Sequence, residues 1–231
     1  MLINGLQKLT LLDFPEHTAC TVFTGGCNMR CPFCHNAVLV TSPESQPVIG
    51  EEKVFDLLDK RRGLLDGVAI TGGEPTLMPD LADFIGRIKE KGFQVKLDTN
   101  GTRPEVLREL IENRLVDYVA MDIKSSKAGY PKAVGMPTFD LAPVEESAAL
   151  LMQGGVEFEF RTTVVKELHD IQAIEEIGKW LSGAPRYFLQ YFKDNGETME
   201  KGLNPVTPEE LRAFAKAAEP YFGRVAIRGV E

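Results

Sequence analysis

Short runs rich in apolar and β-branched residues recur along the 231-residue chain, and helical periodicity fills the gaps between them. The runs fall at Thr18–Thr24, Gly67–Thr71, Phe93–Asp98, Val116–Asp122, Val156–Val165 and Arg186–Tyr191. Helical patterns occupy Glu51–Arg62, Pro79–Lys91, Pro104–Asn113, Pro143–Gln153 and Asp170–Leu181, with a further one at Pro208–Ala218. In Asp170–Leu181 the apolar Ile171, Ile174, Ile177 and Leu181 share one helical face. Strands that alternate with helices pair in parallel, because a parallel neighbour is reached only through a long crossover. The expected fold is therefore α/β with a parallel sheet, either doubly wound or curled into a partial barrel. In both, reactive residues belong at the C-terminal ends of the strands.

Nothing in the composition calls for a second domain, so residues 1–231 are expected to form one. Lys and Arg number 26 against 34 Asp and Glu, and a net charge of -8 argues against a nucleic-acid partner. No apolar run approaches the roughly 18 residues of a membrane span, and Met1–Lys8 lacks the layout of a signal peptide. A cytoplasmic protein with no membrane partner is expected. Two polar, proline-bearing stretches, Val40–Val48 and Phe192–Pro208, interrupt the rhythm and are expected to border a cleft.

Three of the four cysteines, Cys27, Cys31 and Cys34, lie within eight residues at the spacing Cys-x3-Cys-x2-Cys. Thiolates are soft ligands that suit iron-sulfur clusters or zinc, and one loop with this spacing wraps a compact centre. Arg30 inside the loop favours thiolate over thiol. A closed zinc site needs a fourth ligand, for which His35 is adjacent, although zinc ligands are usually spaced further apart. Cys20 falls in an apolar strand and reads as a small buried hydrophobe. On spacing alone, an iron-sulfur cluster with one open iron, a zinc site and redox-active thiols all stay open.

Cys27-x3-Cys31-x2-Cys34 after the first strand, followed by Thr71-Gly-Gly-Glu-Pro75 at the end of the second, resembles the radical S-adenosylmethionine (radical SAM) superfamily. Gly25–Asn36, Leu97-Asp-Thr-Asn-Gly101 and Met121-Asp-Ile-Lys124 resemble the glycyl-radical-enzyme activating proteins within it. Leu9-Thr-Leu-Leu-Asp-Phe-Pro15 is similar to the activators of anaerobic ribonucleoside-triphosphate reductase. No cysteine lies between Cys34 and Thr71, so the insert that carries extra clusters in some activators is missing. The resemblance implies a partial (β/α)6 barrel and an oxidoreductase that holds one 4Fe-4S cluster. It implies reductive cleavage of S-adenosylmethionine at the open iron, and a glycyl radical enzyme as protein substrate. A flavodoxin or ferredoxin would supply the electron. Activators of pyruvate formate-lyase, and radical SAM enzymes that act on a small molecule such as a purine-like heterocycle, share the same motifs.

By the same resemblance Cys27, Cys31 and Cys34 ligate the cluster, while Gly72, Gly73 and Glu74 hold the methionyl amine. Asp98, Thr99 and Asp122 hold a monovalent cation against the cofactor carboxylate, with Lys124 paired to Asp122. Arg161 touches the charged cofactor and Phe33 lies against adenine. Each has a plainer alternative: turn, cap or salt bridge for the polar residues, loop packing for Phe33. His17 and His169, in polar surroundings, read as surface residues, and Trp180 as core. No general acid or base is required.

The four cysteines should separate sharply on mutation. Cys31→Ala should abolish or degrade the cluster, whereas Cys20→Ala should keep it at a stability cost on the order of 1 kcal/mol. Equal iron loss in both variants, measured after anaerobic reconstitution, would make Cys20 a ligand and close the open iron.

Overall fold

The computed structural model describes residues 1–230. In chain order the strands and helices are β1 (Ile3–Thr10), β2 (Ala19–Thr24), α1 (Ala37–Thr41), α2 (Glu51–Lys60), β3 (Gly67–Gly72), α3 (Leu81–Glu90) and β4 (Gln94–Thr99). They continue with α4 (Pro104–Glu112), β5 (Tyr118–Asp122), α5 (Tyr130–Ala133), α6 (Ala142–Met152), β6 (Glu157–Val164), α7 (Ile171–Trp180), β7 (Tyr187–Tyr191), α8 (Pro208–Ala218) and β8 (Val225–Arg228). All six expected strands and the six expected helices are present to within two residues at most ends. Two strands, β1 and β8, and two short helices, α1 and α5, had no expectation. β1 alternates poorly because its middle is half-exposed to exposed, and β8 has only four residues, so neither carries a burial period to read.

The chain divides into two compact units, and each draws on separated stretches. The first comprises Met1–Asn28, Val38–Ala120 and Gly154–Glu157; the second comprises Met29–Ala37, Met121–Gln153 and Phe158–Glu231. No composition shift marks these crossings. The cysteine loop is itself divided, with Cys27 in the first unit and Cys31 and Cys34 in the second.

In the first unit β1 lies antiparallel to β2, and β2, β3 and β4 pair in parallel, Val22 opposite Ile70 and Ile70 opposite Leu97. Strands β2 and β3 are buried along most of their length, which explains their apolar runs. Helix α3 covers β4 with Leu81, Phe84, Ile85 and Ile88. The stretch Leu9–Pro15 is largely accounted for by packing. The Thr10 hydroxyl accepts from the backbone of Leu12 and Asp13, and Asp13 accepts from Thr21 Oγ1. Phe14 is 1% exposed and clusters with Ala19, Tyr118 and Ala120. Its ring fills the space that a side chain at residue 67 would need, since a Cβ on Gly67 would stand 2.8 Å from it. Leu11 and Leu12 of the same stretch are exposed.

In the second unit β6, β7 and β8 pair in parallel, and α7 packs on α8. Helix α8 opens on a capping box in which Thr207 and Glu210 satisfy each other's backbone N–H groups. Buried Tyr187 donates to Thr162 Oγ1 at 2.8 Å and stacks on Phe222. Glu159, fully buried, is charge-compensated by Arg228, which anchors the last strand.

Phe14→Ala should open a cavity at the end of the first unit. We expect a loss of about 3–5 kcal/mol in unfolding free energy, read from the denaturant midpoint. A loss below about 1 kcal/mol would mean that the ring is not a core element.

Candidate active site

In the first unit, the ends of β3 and β4 are joined by a buried carboxylate. Glu74, 1% exposed, accepts at Oε1 from Thr76 N (3.2 Å), from the Thr76 hydroxyl and from Thr99 Oγ1 (2.7 Å). Its Oε2 accepts from Asn100 N at 2.7 Å. Burial pushes the Glu74 carboxyl up, and the four donors oppose that shift. Glu74 and Thr99, expected on the methionyl amine and on a cation, are thus brought together by a direct hydrogen bond, and the Thr99 hydroxyl also accepts from Gly101 N at 3.1 Å. What the Gly72-Gly73 turn offers is backbone. Gly72 has φ of 115°, and a Cβ on Gly73 would stand 1.9 Å from Gly26 O, so only glycine lets these chains approach. Glu74 N donates to that same Gly26 O at 2.8 Å, which fixes the strand-end turn against the residue preceding Cys27.

Asp98 lies two residues after Lys96, on the same face of β4, and the two form an ion pair with Lys96 2% exposed. The alternation of Lys96 and Asp98 was the signal for this pair. Asn100, whose Asn-Gly setting signals no more than a turn, sends its side-chain amide toward Cys27 Sγ at 3.8 Å and Asn28 Oδ1 at 2.9 Å.

In the second unit, Asp122 ends β5 between two cations. Its Oδ1 accepts from Arg161 Nε at 2.8 Å and its Oδ2 from Lys124 Nζ at 3.0 Å. Burial works against charge on Asp122, but Arg161 and Lys124 prevail and hold its carboxyl well below the usual range. Burial likewise opposes charge on Lys124, and Asp122, followed by Cys31, keeps it protonated. Both aspartates expected at a cation site thus have protein cations as partners, Lys96 for Asp98 and Arg161 with Lys124 for Asp122.

The cysteine loop is clamped in this unit. Arg30 N donates to Val134 O at 3.0 Å, Glu200 N to Pro32 O at 2.9 Å, and the His35 ring stacks on Phe192 with Nε2 2.7 Å from Lys193 O. Phe192–Pro208 therefore holds the loop, and His35 anchors it through Lys193 and Phe192. Phe33 is buried. Burial pushes the Cys34 thiol up; the Asn36 backbone and then Lys124 pull it back, and Asp122 opposes them. Lys124 is thus a cation acting on the loop's sulfur from a distant point in the sequence. Cys20 is buried, and its thiol is pushed up to about 11 by burial.

His169 was expected at the surface and is 5% exposed. Its Nε2 lies 2.8 Å from Lys124 O, and its Nδ1 lies 3.0 Å from Val165 N and 3.2 Å from Val165 O; the carbonyl of Lys124 can only accept, so Nε2 donates to it. The imidazole thereby holds the backbone of the segment that carries Lys124. Its only sequence signal was its place just beyond a strand end.

All four cysteines are free thiols. Among the described residues no three His, Cys, Asp or Glu side chains gather as ligands of a single ion. Each cysteine of an iron-sulfur cluster ligates its own iron, so three loop thiols need not converge on one point. Soft donors, an amide aimed at one sulfur and a cation acting on another fit such a cluster.

The family model described as the radical SAM superfamily matches residues 21–181. A Methanocaldococcus jannaschii protein, provisionally named a glycyl-radical enzyme activating enzyme, is 36% identical over 99% of this chain and 96% of its own. A crystal structure of a domain of pyruvate-formate lyase-activating enzyme from Bacteroides vulgatus is similar in fold, with TM-score 0.58 and 18% identity over 71% of this chain and 99% of that one. Streptococcus suis SuiB bound to S-adenosylmethionine aligns with TM-score 0.69 and 15% identity over 89% of this chain and 49% of its own. The mixed α/β fold with parallel strands is thus that of radical SAM enzymes, in keeping with the expected partial barrel.

Burial holds His169 below its ordinary value of 6.5, so the folded chain takes up that proton less readily than the unfolded chain. Its contribution to stability is complete above about pH 6.5 and is lost as pH falls from there through the lower folded value. Unfolding free energy, from denaturation at a series of pH values, should drop between about pH 7 and 5. His169→Gln should flatten that interval; parallel curves for the two proteins would contradict this.

Proposed function

Because the chain belongs to the radical SAM superfamily, we propose that it installs a glycyl radical on a partner enzyme, with Cys27, Cys31 and Cys34 as the protein ligands of its 4Fe-4S cluster. The observation that carries this reading is the disulfide-free Cys-x3-Cys-x2-Cys loop within a chain that aligns over 99% of its length with a protein provisionally named as such an activator. When bound, the cluster and S-adenosylmethionine supply one-electron reductive cleavage of the carbon-sulfur bond and a 5'-deoxyadenosyl radical for hydrogen abstraction from a glycine Cα.

The chain's own residues bind and orient. The backbone of Gly72 and Gly73 receives the methionyl ammonium, and Glu74 acts behind it by fixing the turn through Thr76, Thr99 and Asn100. Arg161, Lys124 and Asp122 together carry two positive charges and one negative, an excess that suits the cofactor carboxylate. The ion pairs hold Arg161 and Lys124 in place before the cofactor arrives, which lowers the cost of ordering them on binding. His169 holds the Lys124 backbone through its carbonyl.

The partner is proposed to be anaerobic ribonucleoside-triphosphate reductase, on the likeness of Leu9–Pro15. Thr10, Asp13 and Phe14 serve packing, so the exposed Leu9, Leu11 and Leu12 carry what that stretch offers to another protein. A reduced flavodoxin or ferredoxin is the proposed electron donor.

Anaerobically reconstituted protein should hold about four irons per chain and, once reduced, release 5'-deoxyadenosine from S-adenosylmethionine. Incubated with the reductase, it should produce the electron paramagnetic resonance doublet of a glycyl radical. A doublet on pyruvate formate-lyase alone would change the partner; stoichiometric zinc without cofactor cleavage would sink the reading altogether.

A further inference from the structure

The side chain of Asn100 is held by a closed ring of hydrogen bonds that leaves one N–H for sulfur. Asn28 Nδ2 donates to Thr102 Oγ1 at 2.8 Å, and that hydroxyl donates to Asn100 Oδ1 at 2.7 Å. Asn100 Nδ2 completes the ring by donating to Asn28 Oδ1 at 2.9 Å. The orientation of the amide follows from chemistry. Thr102 N approaches the same Asn100 atom at 3.0 Å, and a backbone N–H can only donate, so that atom is the oxygen. The opposite end is therefore NH2. One of its hydrogens serves Asn28, and the other faces Cys27 Sγ at 3.8 Å.

The residue as a whole is equally constrained. Asn100 is 5% exposed, and its backbone N–H is bound by Glu74 Oε2 at 2.7 Å. Asn28 adjoins Cys27 in the chain, so the ring braces the amide against the residue that carries the sulfur. An amide so fixed cannot turn away when charge accumulates on its neighbour.

We propose that Asn100 is a positioning residue for the cluster, donating an N–H···S hydrogen bond to Cys27 that raises the cluster's reduction potential. The physical reason is that reduction adds negative charge, part of which resides on the ligand sulfurs, and a fixed amide hydrogen stabilises the reduced form more than the oxidised one. The proposal rests on Cys27 as a cluster ligand.

The test is a redox titration of the reconstituted full chain, followed by the electron paramagnetic resonance signal of the reduced cluster. Asn100→Ala should lower the midpoint potential, with a change of up to tenfold in the reduction equilibrium, about 59 mV for one electron. Thr102→Val is the control. It removes the hydroxyl brace but leaves the Thr102 backbone N–H on Asn100 Oδ1, so its potential should stay near that of the wild type. No change in Asn100→Ala, or an equal change in both variants, would overturn the proposal. Should Asn100→Ala fail to hold a cluster, wild-type protein labelled with 15N-asparagine decides instead. A hyperfine coupling from a side-chain nitrogen in the reduced cluster supports the bond, and its absence refutes it. Iron content separates this proposal from the one beneath it: a wild type without iron defeats both, and a full cluster with unchanged potential in Asn100→Ala defeats only this one.

Discussion

Glu74 is the interaction on which the first unit's reactive end depends. An ionised carboxylate taken out of water costs several kcal/mol unless donors replace the lost hydration. Here those donors come from two strand ends: Thr76 beyond β3, and Thr99 and Asn100 at the end of β4. The carboxylate can be buried only if both ends are in place, and both are held because it is buried. That mutual dependence orients the Gly72-Gly73 backbone, and through Asn100 it reaches Cys27. A glutamate that looks like a ligand in the sequence is the fastening of the site.

The second unit uses charge in a comparable way. Asp122 is bonded by Arg161 and Lys124, so neither cation faces the interior uncompensated, and each long side chain is held in one geometry before any ligand arrives. His169 adds a neutral brace on the Lys124 backbone. A neutral imidazole suits this role because burial disfavours the charged ring. The loop bearing Cys31 and Cys34 is fastened by backbone and ring contacts from Val134, Phe192, Lys193 and Glu200, all remote in sequence.

Most of the parallel strands and the main helices were legible because they carry a burial period. β2, β3 and β5 read as continuous apolar runs, and α7 as a repeating stripe. β1 and β8 were not, since edge strands owe their existence to backbone pairing with a neighbour. The cysteine loop, the Gly-Gly turn and the aspartates were legible as residue types at strand ends. Their partners were not. Lys96 beside Asp98 had a local signal in the two-residue alternation, but nothing near Glu74 announces that Thr99 and Asn100 will turn toward it.

By itself, then, the sequence determined the order and type of elements and the chemistry available: three soft thiols on one loop, a glycine turn free of side chains, and polar groups at the ends of strands. These follow from local rules of periodicity, turn preference and ligand softness, each of which acts over a few residues. The tertiary structure decided which polar groups meet one another in holding the site. Glu74 and Thr99 went to the scaffold, His35 became an anchor, Asn100 turned to Cys27, and His169 was drawn inside. The reason is that a buried polar atom must find its partner wherever the fold brings one within about 3 Å, and that partner is set by strand register and crossover, not by distance along the chain.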